Sequence, residues 1–86
     1  MRPEDLRDLL RRQPFVPVRI HLSDGTTYEV RHPEMAIIGR STVTIGVEEQ
    51  EGSGIADRMM YCSLLHIVRI EDANGRDLSR KGENPP

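Results

Sequence analysis

Cysteine occurs once, tryptophan not at all, phenylalanine once, and lysine once, at Lys81. The lone Cys62 excludes an internal disulfide and any zinc site built from several cysteines, and it fits a reducing compartment. One phenylalanine and two tyrosines leave no aromatic platform on which successive bases could stack. No apolar run approaches the ~18 residues that a membrane-spanning helix needs. The N-terminal "MRPEDLRDLLRRQ" also lacks the unbroken apolar stretch of a secretion signal, so the chain reads as cytoplasmic with no membrane partner. Nor does one sign of charge dominate. Twelve basic against fourteen acidic residues give a net charge of −2, so no global field draws the chain toward phosphate polymers or anionic lipid. Eleven of the twelve cations are arginine, which is attributed to genomic base composition rather than to selection for phosphate binding.

What is present suits one small domain. Eighty-six residues, 36% of them apolar, allow a single modest core. A core of that size supplies only about 3–5 kcal/mol, so small domains without staples often lean on a partner subunit. The folded unit is expected over residues 1–71, with a disordered tail over residues 72–86, "DANGRDLSRKGENPP".

The N-terminal segment predicts a helix over residues 3–12. Pro3 suits the first turn, Glu4 and Asp5 sit at the positive end of the dipole, and Arg11 and Arg12 sit at the negative end. Leu6, Leu9 and Leu10 follow the spacing of one buried stripe. Pro14 and Pro17 then stop the helix at a "PFVP" corner.

Parity decides the turn in "IHLSDGTTYEV". A two-residue loop at Asp24 and Gly25 would set Ile20 opposite Glu29 and put the apolar residues of the two strands on different faces. A three-residue loop of Ser23, Asp24 and Gly25, closed by a left-handed glycine, makes Ile20 face Tyr28 and Val18 face Val30 on the inner side. Arg19 then pairs with Glu29 outside. Gly25 is the structural turn residue that must take a positive φ.

Further strand-like runs follow. Pro33 and Glu34 interrupt the second strand, and "MAIIG" and "STVTIGV" flank a tight turn at Gly39 and Arg40. The acidic, glycine-containing "EEQEGSGIAD" reads as a mobile loop. Residues 58–62 form a strand, "SLLH" a turn of tight helix, and "IVRIE" a last strand with Val68 and Ile70 inward and Arg69 and Glu71 outward. The fold class is mainly β: a small five-stranded, strongly bent antiparallel sheet or barrel with one N-terminal α-helix.

The helix-then-strands order and "LSDG", over residues 3–71, resemble Sm-like and, less specifically, Src-homology-type barrels. Sm-like RNA binders carry an aspartate and asparagine pair after the second strand and an arginine-glycine signature before the fifth. Here those places read "HPEMAIIGRS" and "SLLHIVRIE", so RNA binding is not carried over. More closely, "RRQPFVPVRIHLSDGTTYEVRHPE" with "LLHIVRIE" resembles a set of short uncharacterised bacterial proteins sharing a Pro-Phe corner, an Asp-Gly hairpin and a His-Pro-Glu segment. That resemblance implies no activity.

Side chains with chemical potential are few. His21, His32 and His66 could ligate a metal, but parity points His21 outward and His32 inward. Cys62, inside "MMYCS", reads as a small core residue rather than a nucleophile. "EGSG" lacks the lysine and hydroxyl residue of a phosphate-binding loop. A possible interaction corner is formed by Arg31, His32 and Glu34. No catalytic residue, metal, cofactor or small-molecule substrate is implied, and an enzyme is not expected. The leading expectation is a non-enzymatic module that binds itself or another protein by strand addition, with a homo-oligomer expected because "MMY" at residues 59–61 needs cover. The alternative is an Sm-like RNA-associated regulator using Arg11, Arg12 and Arg19, although the composition disfavours nucleic acid.

Overall fold

The computed structural model describes residues 1–78. Helix α1 spans Pro3–Leu10 and buries Leu6, Leu9 and Leu10, the stripe its spacing predicts. It ends two residues short of the expected boundary. Arg11 leaves helical geometry with its N–H donating to the Arg7 carbonyl, and the chain turns into the Pro14 corner.

Six strands follow: β1 Val18–Leu22, β2 Thr27–Val30, β3 Ala36–Ile38, β4 Thr42–Val47, β5 Arg58–Ser63 and β6 Ile67–Asp72. They form two three-stranded antiparallel sheets, ordered β2-β1-β6 and β3-β4-β5, which do not close into a barrel. This corrects the expectation of one five-stranded sheet or barrel. The cause lies at Pro33, which cannot donate to a ladder. A single 3-10 turn over Pro33–Met35 breaks what would be one long strand into β2 and β3 and carries the chain from one sheet to the other. One core fills the space between sheets and helix. Leu6, Val18, Ile20, Val30, Val43, Ile45, Leu64 and Ile70 are its most buried members.

The first hairpin has the register that parity requires. Val18 pairs with Val30, Arg19 with Glu29 and Ile20 with Tyr28. Leu22 N–H donates to the Thr26 carbonyl at 2.8 Å, closing a loop of Ser23, Asp24 and Gly25, and Gly25 sits at φ +89°. Nothing lies within 4 Å of where a Gly25 Cβ would project, so only the backbone opposes a side chain there. Gly25→Ala is therefore expected to cost about 1 kcal/mol, read from the urea midpoint at unchanged m-value.

Strand β6 departs from simple alternation. His21 pairs with Arg69 but Leu22 pairs with Ile67, which leaves Val68 as the extra residue of a bulge. Ile67 and Ile70 face the core and Val68 faces solvent. The inward assignment of Val68 is thus corrected.

Past residue 71 the chain does not leave the sheet at once. Asp72 caps a turn by accepting from the Asn74 and Arg76 N–H groups, and Leu78 N–H returns to the Ile70 carbonyl at 2.6 Å. Residues 76–78 therefore lie along the outer edge of β6, with Leu78 against the core. The disorder expected beyond Leu78 lies outside the described residues.

Candidate functional site

Strand β5 is built by alternation. Met60 and Cys62 turn inward, and Met59 and Tyr61 turn outward with 55% and 76% of their surface exposed. Register carries the outward set across the sheet. Ile37 of β3, Thr44 of β4 and Tyr61 of β5 form one row on the outer face, and Ile37 is 64% exposed.

The same register fixes where the β5 backbone points. Leu64 N–H donates to the Ser41 carbonyl, so the alternating ladder directs Cys62, Met60 and Arg58 toward β4. Met59 and Tyr61 then present their N–H and C=O groups to the outside. Side chain and backbone of the same two residues are offered at one strand edge.

A second free edge belongs to β3. It borders a groove of about 590 Å³ between that strand and α1, lined by Arg7, Leu10, Arg11, Ile37, Ile38 and Arg40 among others.

The outer face of the first sheet is different in kind. Arg19 lies between Glu29 and Glu71 at 3.6 and 3.7 Å, Arg69 reaches Glu71 at 3.0 Å, and Arg31 reaches Glu29 at 2.7 Å. His21 Nε2–H donates to Glu71 Oε1 at 2.9 Å, and its Nδ1 is hydrogen-bonded to the Thr27 hydroxyl at 3.0 Å. The His21 hydrogen bond, with Arg69 and Arg19 beside it, holds the Glu71 carboxyl below its usual value of 4.5. A depressed folded pKa stabilises the fold above the unfolded value, and that contribution is lost as pH falls through the folded one. Glu71→Gln is therefore expected to lower stability at neutral pH and to flatten its fall below about pH 4.5. Urea midpoints across an acid pH series check this, and an acid limb as steep as in the parent would contradict it.

The residues singled out from sequence are dispersed. Arg31 forms ion pairs with Glu29 and Glu51, His32 buries its Nε2 with no hydrogen-bond partner, and Glu34 is exposed on the Pro33–Met35 turn. His66 Nδ1 lies 3.3 Å from the Ser23 hydroxyl, on the turn between β5 and β6. Among the described residues no group of three or more His, Cys, Asp or Glu side chains is placed to share a metal ion. Cys62 is a buried core residue, and burial raises its thiol pKa. Arg19 belongs to the ion-paired face, whereas Arg11 lines the α1–β3 groove, so the arginine cluster expected of an RNA-associated regulator is divided.

Two features escaped the sequence. The outward row through Ile37 was within reach, since pairing Ile38 with Val43 fixes Ile37 on the opposite face. The groove depends on where α1 lands and had no local signal.

The chain is thus a mainly β domain with one short N-terminal helix and two open sheets, and among its described residues no helix is long and apolar enough to cross a membrane. Comparison with known protein families, with curated proteins and with solved structures finds no match.

Proposed function

We propose that the protein is a non-enzymatic self-assembly module whose interface is the free edge of β5, paired with β5 of a second copy. The observation that carries this is the coincidence at Met59 and Tyr61 of exposed apolar side chains with outward-pointing backbone groups. Reading β2 and β3 as one strand interrupted at Pro33 keeps the element order similar to that of Sm-like barrels.

The geometry favours a two-fold pair over a ring that joins β5 of one copy to β6 of the next. A head-to-tail ring of that kind would need the outer edge of β6, which is occupied by the returning Arg76–Leu78 segment. An isologous pair needs only β5. Antiparallel pairing about Met60 sets Met59 of one copy opposite Tyr61 of the other, both with hydrogen-bonding groups facing. It joins two three-stranded sheets into one of six strands and brings the exposed side chains of both copies together.

Sedimentation equilibrium tests this. The expected mass is twice the 9.8 kDa of one chain at micromolar concentration, and Tyr61→Lys should return it to the chain mass with an unchanged circular dichroism spectrum. A single-chain mass for the parent protein at every concentration would overturn the proposal.

A further inference from the structure

We propose that the groove between α1 and the free edge of β3 binds a short, extended, acidic peptide segment of a partner protein. This site lies on the opposite edge of the sheet from β5 and stands independently of self-assembly.

The backbone argument comes first. Gly39 N–H donates to the Thr42 carbonyl at 2.7 Å, so along β3 the pair directed at β4 is Ile37 with Thr44. The N–H and C=O of Ile38 and the C=O of Ala36 therefore point away from β4, toward the groove. The Ala36 N–H is already satisfied by the Pro33 carbonyl. One donor and two acceptors remain in a row on the strand, the pattern that an added strand completes. Ala36–Ile38 is three residues, about 10 Å of extended chain, so the occupant pairs over about three to five residues.

Charge selects the chemistry of the occupant. The groove is lined by Arg7, Arg11 and Arg40 against a single carboxylate, Glu4. Arg7 is engaged with Asp8, with Nη2 at 3.2 Å from Oδ1, and Glu4 with Arg2. Among the described ion pairs none involves Arg11 or Arg40, and both side chains are exposed. The arginines of the other sheet, Arg19, Arg31 and Arg69, are each matched with a glutamate. Guanidinium groups in the groove are therefore available for bidentate bonds to carboxylates. Leu10, Ile37 and Ile38 provide apolar contact between them. An occupant that alternates acidic and apolar residues matches both features, because alternate side chains of a strand face opposite ways.

The test uses the full chain and a fluorescein-labelled Glu-Val-Glu-Val-Glu peptide, with Lys-Val-Lys-Val-Lys and a uridine oligonucleotide as comparators. Fluorescence anisotropy should show saturable binding of the acidic peptide that strengthens at low salt, and no binding of the basic one. Amide chemical shifts should move at Ile38 and Gly39. The double variant Arg11→Gln, Arg40→Gln changes only exposed side chains and should bind roughly tenfold more weakly or worse. Tyr61→Lys should bind as the parent does, which separates this site from β5: a protein that fails to dimerise can still take the peptide. Absence of binding, binding unchanged in the double variant, or shifts confined to β5 would overturn the proposal. Preferential binding of the uridine oligonucleotide with shifts in the groove would also overturn it and mark the groove as a nucleic-acid site.

Discussion

Ile70→Ala is expected to cost about 2–5 kcal/mol, and Val68→Ala less than about 0.5 kcal/mol, although the two residues stand two apart in one strand. Ile70 is fully buried opposite Ile20, so truncation leaves a cavity in the core that the described residues share. Val68 is the extra residue of the β6 bulge and 61% exposed. Urea denaturation at low temperature measures both. For a domain of this size the Ile70 variant approaches the whole folding free energy, so loss of a cooperative transition is within the expected range. Comparable losses at the two positions would mean that β6 alternates without a bulge.

Gly46→Ala is expected to be the more damaging of the two informative glycine substitutions, at about 1–3 kcal/mol. Gly46 lies in β4 opposite Met59 and is buried, although its row belongs to the outer face. An added Cβ would sit 2.9 Å from the Ala56 Cβ, 3.0 Å from the Met35 sulfur and 3.4 Å from the Met35 carbonyl oxygen. The sulfur ends a flexible side chain and can move. Ala56 can yield only by shifting the backbone of the segment that returns to β5, which is anchored by Asp57 N–H donating to the Val47 carbonyl at 2.9 Å. Ala56→Gly should therefore recover part of the loss, and the double variant should be more stable than the sum of the two singles predicts. Simple additivity in a urea double-mutant cycle would place the cause elsewhere. The local sequence pattern around Gly46 shows nothing of this cost, because a close approach from another segment leaves no mark in it.

Legibility followed the range of the interaction responsible. The hairpin at Ser23–Gly25 could be read to the residue, since only one loop length puts Ile20, Tyr28, Val18 and Val30 on one face. The interruption at Pro33 and the tight turn at "SLLH" were local and visible, as was the leucine stripe of α1. The division into two sheets was not, because it depends on which neighbour β3 takes after the break. The bulge at Val68 arises because Leu22 pairs with Ile67 while His21 pairs with Arg69, a match between segments more than forty residues apart in the chain. The return of residues 76–78 did leave a sign: "DANG" carries an aspartate able to cap its own turn and a glycine three residues on. The composition of the tail concealed it. Of the site, the outward pair Met59 and Tyr61 follows from alternation, whereas the free edge beside it depends on which strand β5 joins.

Assembly through β5 is tested most directly by amide hydrogen exchange at Met59 and Tyr61 as a function of protein concentration. Both N–H groups lie on an open edge in a single chain and are hydrogen-bonded in the proposed pair. Their exchange should slow as concentration rises through the dimerisation range, while the amides of Met60 and Cys62, already bonded to β4, remain protected throughout. Fast exchange at Met59 and Tyr61 that does not vary with concentration would contradict the account.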